Sequence, residues 1–353
     1  MQSVLIVTPC SRKALPSQGL FIAEELRKAG VNVQVLASAE SGLGRFLDVI
    51  SRGMWLIPRY DRVFVNVYAE RAFTYESFAI LYARLWRKHL VVLLHNGRMI
   101  EFIRRWSGWV SLVLSQADRV LVPHRFLQEQ LTGLGFRIDG TIPNFIDLKK
   151  YRFRERTSLT PHFLYLRGME SYYNPEMAIR AFRLIQNEYP DALLTMAGPE
   201  GSESALCRRL GQDLKLRNVY FVGLVPKDRI AELAEQHDIH LHTNRVENMP
   251  VTIIEMWACG LPIVGTEAGG MPYLVRNGID GILVKSDDYL AMAQACLKLL
   301  SDNEIAGTLS RNGRKRAEEL TWESIKPAWE KALLLNGNSP PRLWPQRRSR
   351  SVN

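Results

Sequence analysis

Short runs rich in Val, Ile and Leu recur along the chain, and between them apolar residues return at helical spacing. The first set is VLIVT from Val4, VNVQVL from Val31, RVFVNVY from Arg62, LVVLL from Leu90 and RVLVP from Arg119. Runs that are apolar on both faces suit parallel strands covered by helices. The segments between them, such as Gly19 to Ala29 and Phe126 to Gly133, carry helix-spaced apolar positions and end near Gly. A break follows at Ile142-Pro143-Asn144, and the charged stretch Lys149 to Arg156 reads as an interdomain linker. The alternation restarts with HFLYL from His162, LLTMAG from Leu193, VYFVG from Val219, IHLHT from Ile239, PIVGT from Pro262 and GILV from Gly281. The pattern predicts an α/β protein with two Rossmann-like halves in tandem, residues 1–155 and 156–320. Residues 321–337 read as a Trp-bearing helix packing back toward the first half, and 338–353 as a disordered basic tail. No solenoid-length repeat and no heptad run is present.

Length and composition agree with two cores: 353 residues, 46% hydrophobic and 23% charged. Cys10, Cys207, Cys259 and Cys296 lie far apart with no CxxC pair, which points away from a disulfide framework or a zinc site and toward a reducing compartment. The opening MQSVLIVTPCSRKA has no basic region before its apolar stretch, so it reads as a first strand and not as a signal peptide. No apolar run approaches the roughly 18 to 20 residues needed to span a bilayer. The expected location is the cytoplasm, either free or peripheral on the cytoplasmic face of a membrane.

The formal charge of +10 is unevenly placed. Residues 1–155 hold 22 Lys and Arg against 13 Asp and Glu, whereas residues 156–337 hold 20 against 23. The first half should face something anionic: nucleic acid, an acidic lipid surface or a pyrophosphate-linked substrate.

The most informative stretch is NRVENMPVTIIEMWACGLPIVG from Asn244. With a strand ending near Thr243, Asn248 as a helix cap and Pro250 in the first turn, Glu247 falls in the loop at a strand's carboxyl end and Glu255 on the following helix. Ligands of open α/β sheets bind at that edge, where a helix N-terminus offers free N–H groups to phosphate. Taken alone, two glutamates eight positions apart are more simply two solvated surface charges.

The surrounding residues alter that balance. Glu247, Asn248, Met249, Pro250, Glu255, Met256, Ala258, Cys259, Gly260, Pro262 and Val264 match in order the signature of the GT4-like retaining glycosyltransferases (glycosyl transferases group 1), and the chain resembles that family over most of its length. LRGMESYYNPEMAIRAF from Leu166 resembles the family's phosphate-binding strand-loop-helix, and IPNFID from Ile142 its interdomain element. LLHNG from Leu93 and SQGLF from Ser17 resemble two loops of its cleft.

The resemblance implies a GT-B fold, two Rossmann-like domains facing each other across a cleft. It further implies a metal-independent hexosyltransferase that moves sugar from a nucleotide diphosphate, UDP- or GDP-linked, with retention of anomeric configuration and no cofactor. It places Arg167 on the diphosphate, Glu255 on the ribose, Glu247 on the hexose as a catalytic residue, and amides around Asn248 and Met249 beside them. His95 faces the hexose from the first domain, and Ser17, Gln18 and Gly19 line the cleft near the phosphate or acceptor. The acceptor class is a glycan or a lipid-linked oligosaccharide, as in polysaccharide or glycolipid synthesis.

Two departures stand out. Many members carry a Lys shortly after the Arg, where this chain has Tyr172, Tyr173 and Asn174, and Tyr273 follows Gly-Gly-x-Pro where Glu is common. The missing cation motivates a rival reading, a non-catalytic GT-B protein that binds a sugar nucleotide or a partner enzyme. No DxD, GxxxxGK[ST] or GxGxxG after the first strand is present, which removes the main support for metal-bridged, kinase and dehydrogenase readings. Nucleic acid binding has charge in its favour but no reader motif. Met99 to Gln116 reads as a core helix, with a monotopic contact to an anionic membrane as the alternative for its Trp and Arg residues.

Overall fold

The computed structural model describes residues 2–9, 17–36, 39, 41–95 and 97–335. Cys10, Asn96 and the tail 338–353 lie outside the described residues. The first sheet contains β1 (Ser3–Val7), β2 (Asn32–Leu36), β3 (Arg62–Val67), β4 (His89–Leu94), β5 (Arg119–Val122) and β6 (Gly140–Thr141), in the order β2-β1-β3-β4-β5-β6. The second contains β7 (His162–Leu166), β8 (Leu193–Ala197), β9 (Val219–Gly223), β10 (Ile239–His242), β11 (Ile263–Thr266) and β12 (Ile282–Val284), in the order β12-β11-β10-β7-β8-β9. Every neighbouring pair in both sheets is parallel.

Helices α1 (Gln18–Lys28), α2 (Gly42–Leu56), α3 (Ala72–Leu85), α4 (Met99–Arg105), α5 (Ser107–Leu114) and α6 (Arg125–Gly133) cover the first sheet. Helices α7 (Pro175–Glu188), α8 (Ser204–Asp213), α9 (Ile230–Glu235), α10 (Val251–Cys259), α11 (Met271–Leu274), α12 (Tyr289–Ser301) and α13 (Asn303–Glu318) belong to the second, and α14 (Trp322–Ala332) ends the fold. Strand residues alternate between two layers. Leu5, Val7, Val63, Val65, Val92 and Leu94 face the layer of α2 to α6, whereas Val4, Ile6, Phe64, Val91 and Leu93 face α1 and α14. Helix α14 thus crosses back onto the first sheet, where Trp329 meets Phe64 edge-on at 4.8 Å.

Both sheets reverse direction beside their first strand. In the second sheet β7 runs on through β8 to β9 on one side, and β10 returns to its other side. The crevice at the carboxyl ends of β7 and β10 is the usual binding place of such sheets.

Several sequence expectations are corrected. Strand β6, too short to carry a periodic signal, closes the first sheet. VYFVG forms an edge strand whose Tyr220 and Val222 are exposed, because no helix covers both its faces. Met99 to Gln116 is two helices broken at Trp106, with Met99, Phe102, Ile103, Val110 and Val113 in the core. The charged linker is fastened to the second domain: fully buried Arg156 donates to the carbonyls of Arg154, Cys259, Ala234 and His237. Among the described residues no helix is long and apolar enough to cross a membrane.

Candidate active site

The strand β7 ends in Leu166, and the next residue, Arg167, turns its guanidinium toward the loop that leaves β10. There it donates to Glu247 Oε2. The same carboxylate oxygen accepts from Asn244 Nδ2 at 2.5 Å and meets His242 Nε2 at 3.2 Å, while Oε1 accepts from the Asn248 amide at 2.9 Å. Burial alone would raise the Glu247 carboxyl; the Arg167 charge, His242 and the Asn248 amide outweigh it and hold the group down at about 2. Glu247 is therefore a fixed anion held by its neighbours.

Glycines press this loop into place. A Cβ on Gly270 would lie 2.0 Å from the Asn248 carbonyl oxygen, and one on Gly269 2.1 Å from that of Glu247. The Gly270 amide donates to the Glu247 carbonyl at 3.1 Å. The Gly-Gly-x-Pro element is thus the seat of the Glu247 loop.

Beyond the loop, α10 begins at Val251 behind Pro250, with no side chain capping its first amides. These amides and the positive end of the helix dipole face the cleft. Glu255 lies one turn further, about 5.4 Å along the axis. Its Oε1 accepts from Tyr151 Oη and Lys227 Nζ, and its Oε2 has no protein partner although the side chain is fully buried. Arg167 Nε, Asn248 Oδ1 and Thr252 Oγ1 are likewise buried and unpartnered. Buried polar atoms are nearly always satisfied, so four exceptions around one helix end make this the candidate place for a polar ligand.

The first domain supplies the opposite wall. Gln18 and Gly19 form the first turn of α1 and not a loop. Gln18 clasps the backbone of Phe145, donating to its carbonyl at 3.1 Å and accepting from its amide at 3.3 Å. Ser17 Oγ lies 2.8 Å from Thr8 Oγ1, and a Cβ on Gly19 would meet Asn66 Nδ2 at 2.0 Å. His95 stacks on Tyr68 at 5.3 Å and places Nε2 3.0 Å from Asn66 Oδ1. Asn66 donates from Nδ2 to Thr8, so Oδ1 is its acceptor and the His95 proton sits on Nε2. Burial lowers the His95 pKa to about 4, which leaves a neutral ring whose Nδ1 can accept.

Ser17, Gln18, His95, Arg167, Glu247, Asn248, Met249 and Glu255 all line one cavity of about 640 Å³ between the domains, and Gly19 sits just behind it. Some expected details differ. Asn248 does not cap α10, since Pro250 takes that position, and its amide is engaged by Glu247. Met249 gives its carbonyl to Asn144 Nδ2 at 2.7 Å, which ties the interdomain segment to the site. Where the family Lys is missing, Tyr172 and Tyr173 line the cavity while Asn174 turns away to Asp287. Arg98 of the first domain lies over the Tyr172 ring at 5.9 Å and pairs with Glu70 at 2.6 Å. Tyr273 reaches across the domains to donate to Glu129 Oε2 at 2.7 Å. Sequence reading missed Tyr151, Lys227, Arg98, His242 and Asn244. The last two stand in the HLHTN run just before Glu247 and could have been read from it; the others arrive from distant segments with no local signal.

Comparison with known proteins agrees with this arrangement. Residues 149–316 match the family model described as glycosyl transferases group 1. The N-acetyl-alpha-D-glucosaminyl L-malate synthase of Bacillus anthracis is 29% identical over 196 residues, 53% of this chain and 49% of that protein. A glycogen synthase of Mycobacterium tuberculosis is 25% identical over 248 residues, 65% of this chain and 60% of that one. The matches thus span about half to three fifths of these relatives. Sucrose-phosphate synthase from Thermosynechococcus elongatus superposes with a TM-score of 0.79 at 18% identity, covering 94% of this chain and 98% of its own. The HepE protein of Anabaena, solved with UDP and glucose, superposes with a TM-score of 0.76 at 17% identity, covering 95% and 100%. Residues 149–316, a little under half of the chain, thus form a domain of the glycosyl transferases group 1 type, and the chain is built on the GT-B fold.

Proposed function

We propose that the protein transfers a sugar from a nucleotide diphosphate, UDP- or GDP-linked, to an acceptor hydroxyl, with retention of configuration and without a divalent metal. The observation that carries this reading is the set of unpartnered buried atoms around the uncapped start of α10, with Glu255 Oε2 one helical turn from the free amides. A diphosphate over the helix end and a ribose diol on Glu255 match that spacing. The Glu247 anion, with the amides beside it, orients the hexose. The second domain, residues 156–320, holds the donor, and the first, residues 1–155, receives the acceptor.

Departure of the sugar leaves extra negative charge on the diphosphate. In this reading Arg167, the helix end and Arg98 stabilise it, so that a first-domain cation stands in for the absent Lys. Lys227, which lines the same cavity, can turn from Glu255 toward phosphate once the ribose occupies the carboxylate. These cations answer the objection behind the non-catalytic alternative. Neutral His95 orients a sugar hydroxyl through Nδ1, and the leaving phosphate oxygen takes the acceptor's proton. Closure of the domains excludes water and favours transfer over hydrolysis. The relatives' names point to small-molecule or glycan acceptors; a lipid-linked acceptor and a cytoplasmic setting are part of this proposal and not of those names.

Calorimetric titration with UDP, GDP, ADP and TDP, with and without EDTA, tests donor binding. NMR of the sugar released from an α-linked donor then tests the stereochemistry. One diphosphate binding independently of EDTA, followed by an α-product, supports the reading. No binding, or a β-product, overturns it.

A further inference from the structure

The outer layer of the first domain carries apolar side chains that stand exposed among the described residues. Because α2, α3 and α5 all lie on the same side of the sheet, their outward faces form one surface. On it Leu47, Trp55, Leu85, Trp86, Trp106 and Leu112 are exposed, with Leu85 at 72% and Trp55 at 69%. Helices α2 and α3 run parallel, as the crossovers of a parallel sheet require, and their ends meet: Lys88 Nζ donates to the Pro58 carbonyl at 2.7 Å. Trp55, Leu85 and Trp86 therefore gather at one end of the surface.

Cations interleave with these residues. Residues 42–59, 72–88 and 99–114 hold eight Arg and Lys against Asp48, Glu101 and the buried Glu76. Arg59 lies over the Trp55 ring at 5.1 Å and Arg105 over Trp106 at 5.7 Å, which places each charge against the face of an exposed aromatic ring. Exposed apolar patches of this kind mark interaction surfaces. Trp and Leu beside Arg suit the boundary between headgroups and acyl chains.

We infer that the α2–α3–α5 surface is the face by which this protein lies on an anionic lipid bilayer. Charge decides between a bilayer and a second copy of the chain. A two-fold dimer brings a patch against itself, and here it would oppose cation to cation, whereas anionic headgroups complement all of them. The contact lies on α2, α3 and the outward side of α5, away from the core-facing stripe of residues 99–116. Arg45, near the N-terminus of α2, lines the cleft, so the cleft opens at the edge of this face. If the transfer proposed above holds, an acceptor anchored in the same bilayer enters directly.

The test is flotation of the full chain with vesicles of phosphatidylcholine alone and of phosphatidylcholine with roughly 30 mol% phosphatidylglycerol, at low and high salt. The variants are Trp55→Glu/Leu85→Glu/Trp86→Glu and the charge reversal Arg59→Glu/Arg87→Glu, each checked by thermal melting. The wild type should float with anionic vesicles only and lose binding at high salt. Both variants should float at least about tenfold less with melting unchanged; if the triple variant fails to fold, the charge reversal carries the test. Failure of the wild type to float, or flotation of folded variants like wild type, overturns the inference. So does a dimer in light scattering that the triple variant dissociates. None of these readouts uses nucleotide, so they stand whether or not donor binding is found.

Discussion

Arg167 and Glu247 lie 80 residues apart in sequence and are joined as an ion pair where β7 and β10 meet. The pair fastens the two loops at which the second sheet reverses. Arg167→Lys keeps the charge but loses the planar fork that holds Glu247 and, in the proposed mechanism, a phosphate as well. The expected outcome is a kcat lower by about 10²- to 10³-fold, the scale of one lost transition-state donor. Steady-state kinetics on the matched donor, with melting curves to confirm folding, checks it.

Glu255 should govern affinity. Replacing it with Ala removes the proposed acceptor for the ribose and leaves Tyr151 and Lys227 without their shared partner. A hydrogen bond to a charged group contributes about 1.5 to 3 kcal/mol, so the nucleotide Kd should rise roughly 10- to 150-fold. Calorimetry with the preferred diphosphate reads this directly, and an unchanged Kd would remove Glu255 from the site.

Arg98 should act on turnover. It comes from the first domain, and under the proposed mechanism it meets the donor phosphate only when the cleft closes. Arg98→Ala should lower kcat about 10-fold or more while leaving the diphosphate Kd within about twofold. A large loss of affinity with kcat intact would assign Arg98 to the ground state instead.

Gly270→Ala tests the seat under the Glu247 loop. Its φ of −79° is ordinary, so the effect is steric and not conformational. The added Cβ would stand 2.0 Å from the Asn248 carbonyl oxygen and 2.3 Å from His124 Cε1, a ring of the other domain. Overpacking of this kind costs about 1 to 3 kcal/mol. A lower melting temperature together with weaker donor binding is expected.

Acid should destabilise the protein through His95. Its folded pKa of about 4 lies below the unfolded value of 6.5, so in that window the unfolded chain takes up a proton that the folded one refuses. Stability is fully present above about pH 6.5 and falls as pH drops toward 4, by up to roughly 3 kcal/mol from this group at 1.36 kcal/mol per pKa unit. Burial lowers His242 and His240 as well, with the same sign. Below the ordinary carboxylate range Glu247 adds a second loss, since its folded pKa is depressed to about 2. Denaturation midpoints from pH 8 to 4 should flatten in His95→Gln relative to wild type.

The sequence by itself determined the two-sheet plan, because strands buried on both faces must be apolar throughout, and runs such as LVVLL and HFLYL announce that locally. It also placed Glu247 at a strand's carboxyl end and Glu255 on the next helix, since Pro250 and the apolar run after it mark where α10 begins. Arg167 was legible only through the family resemblance of LRGMESYYNPEMAIRAF. Tertiary structure alone decided what these residues touch. Lys227 and Tyr151 reach Glu255 from segments 28 and 104 positions away. Arg98 meets Tyr172 from the other domain, and Gly270 seats a loop more than twenty residues before it. Likewise Trp55 and Trp86 share one exposed face only because right-handed crossovers place α2 and α3 on the same side of the sheet. Periodicity reports a residue's own strand or helix, while the partner across a cleft is set by chain crossings that no local pattern encodes.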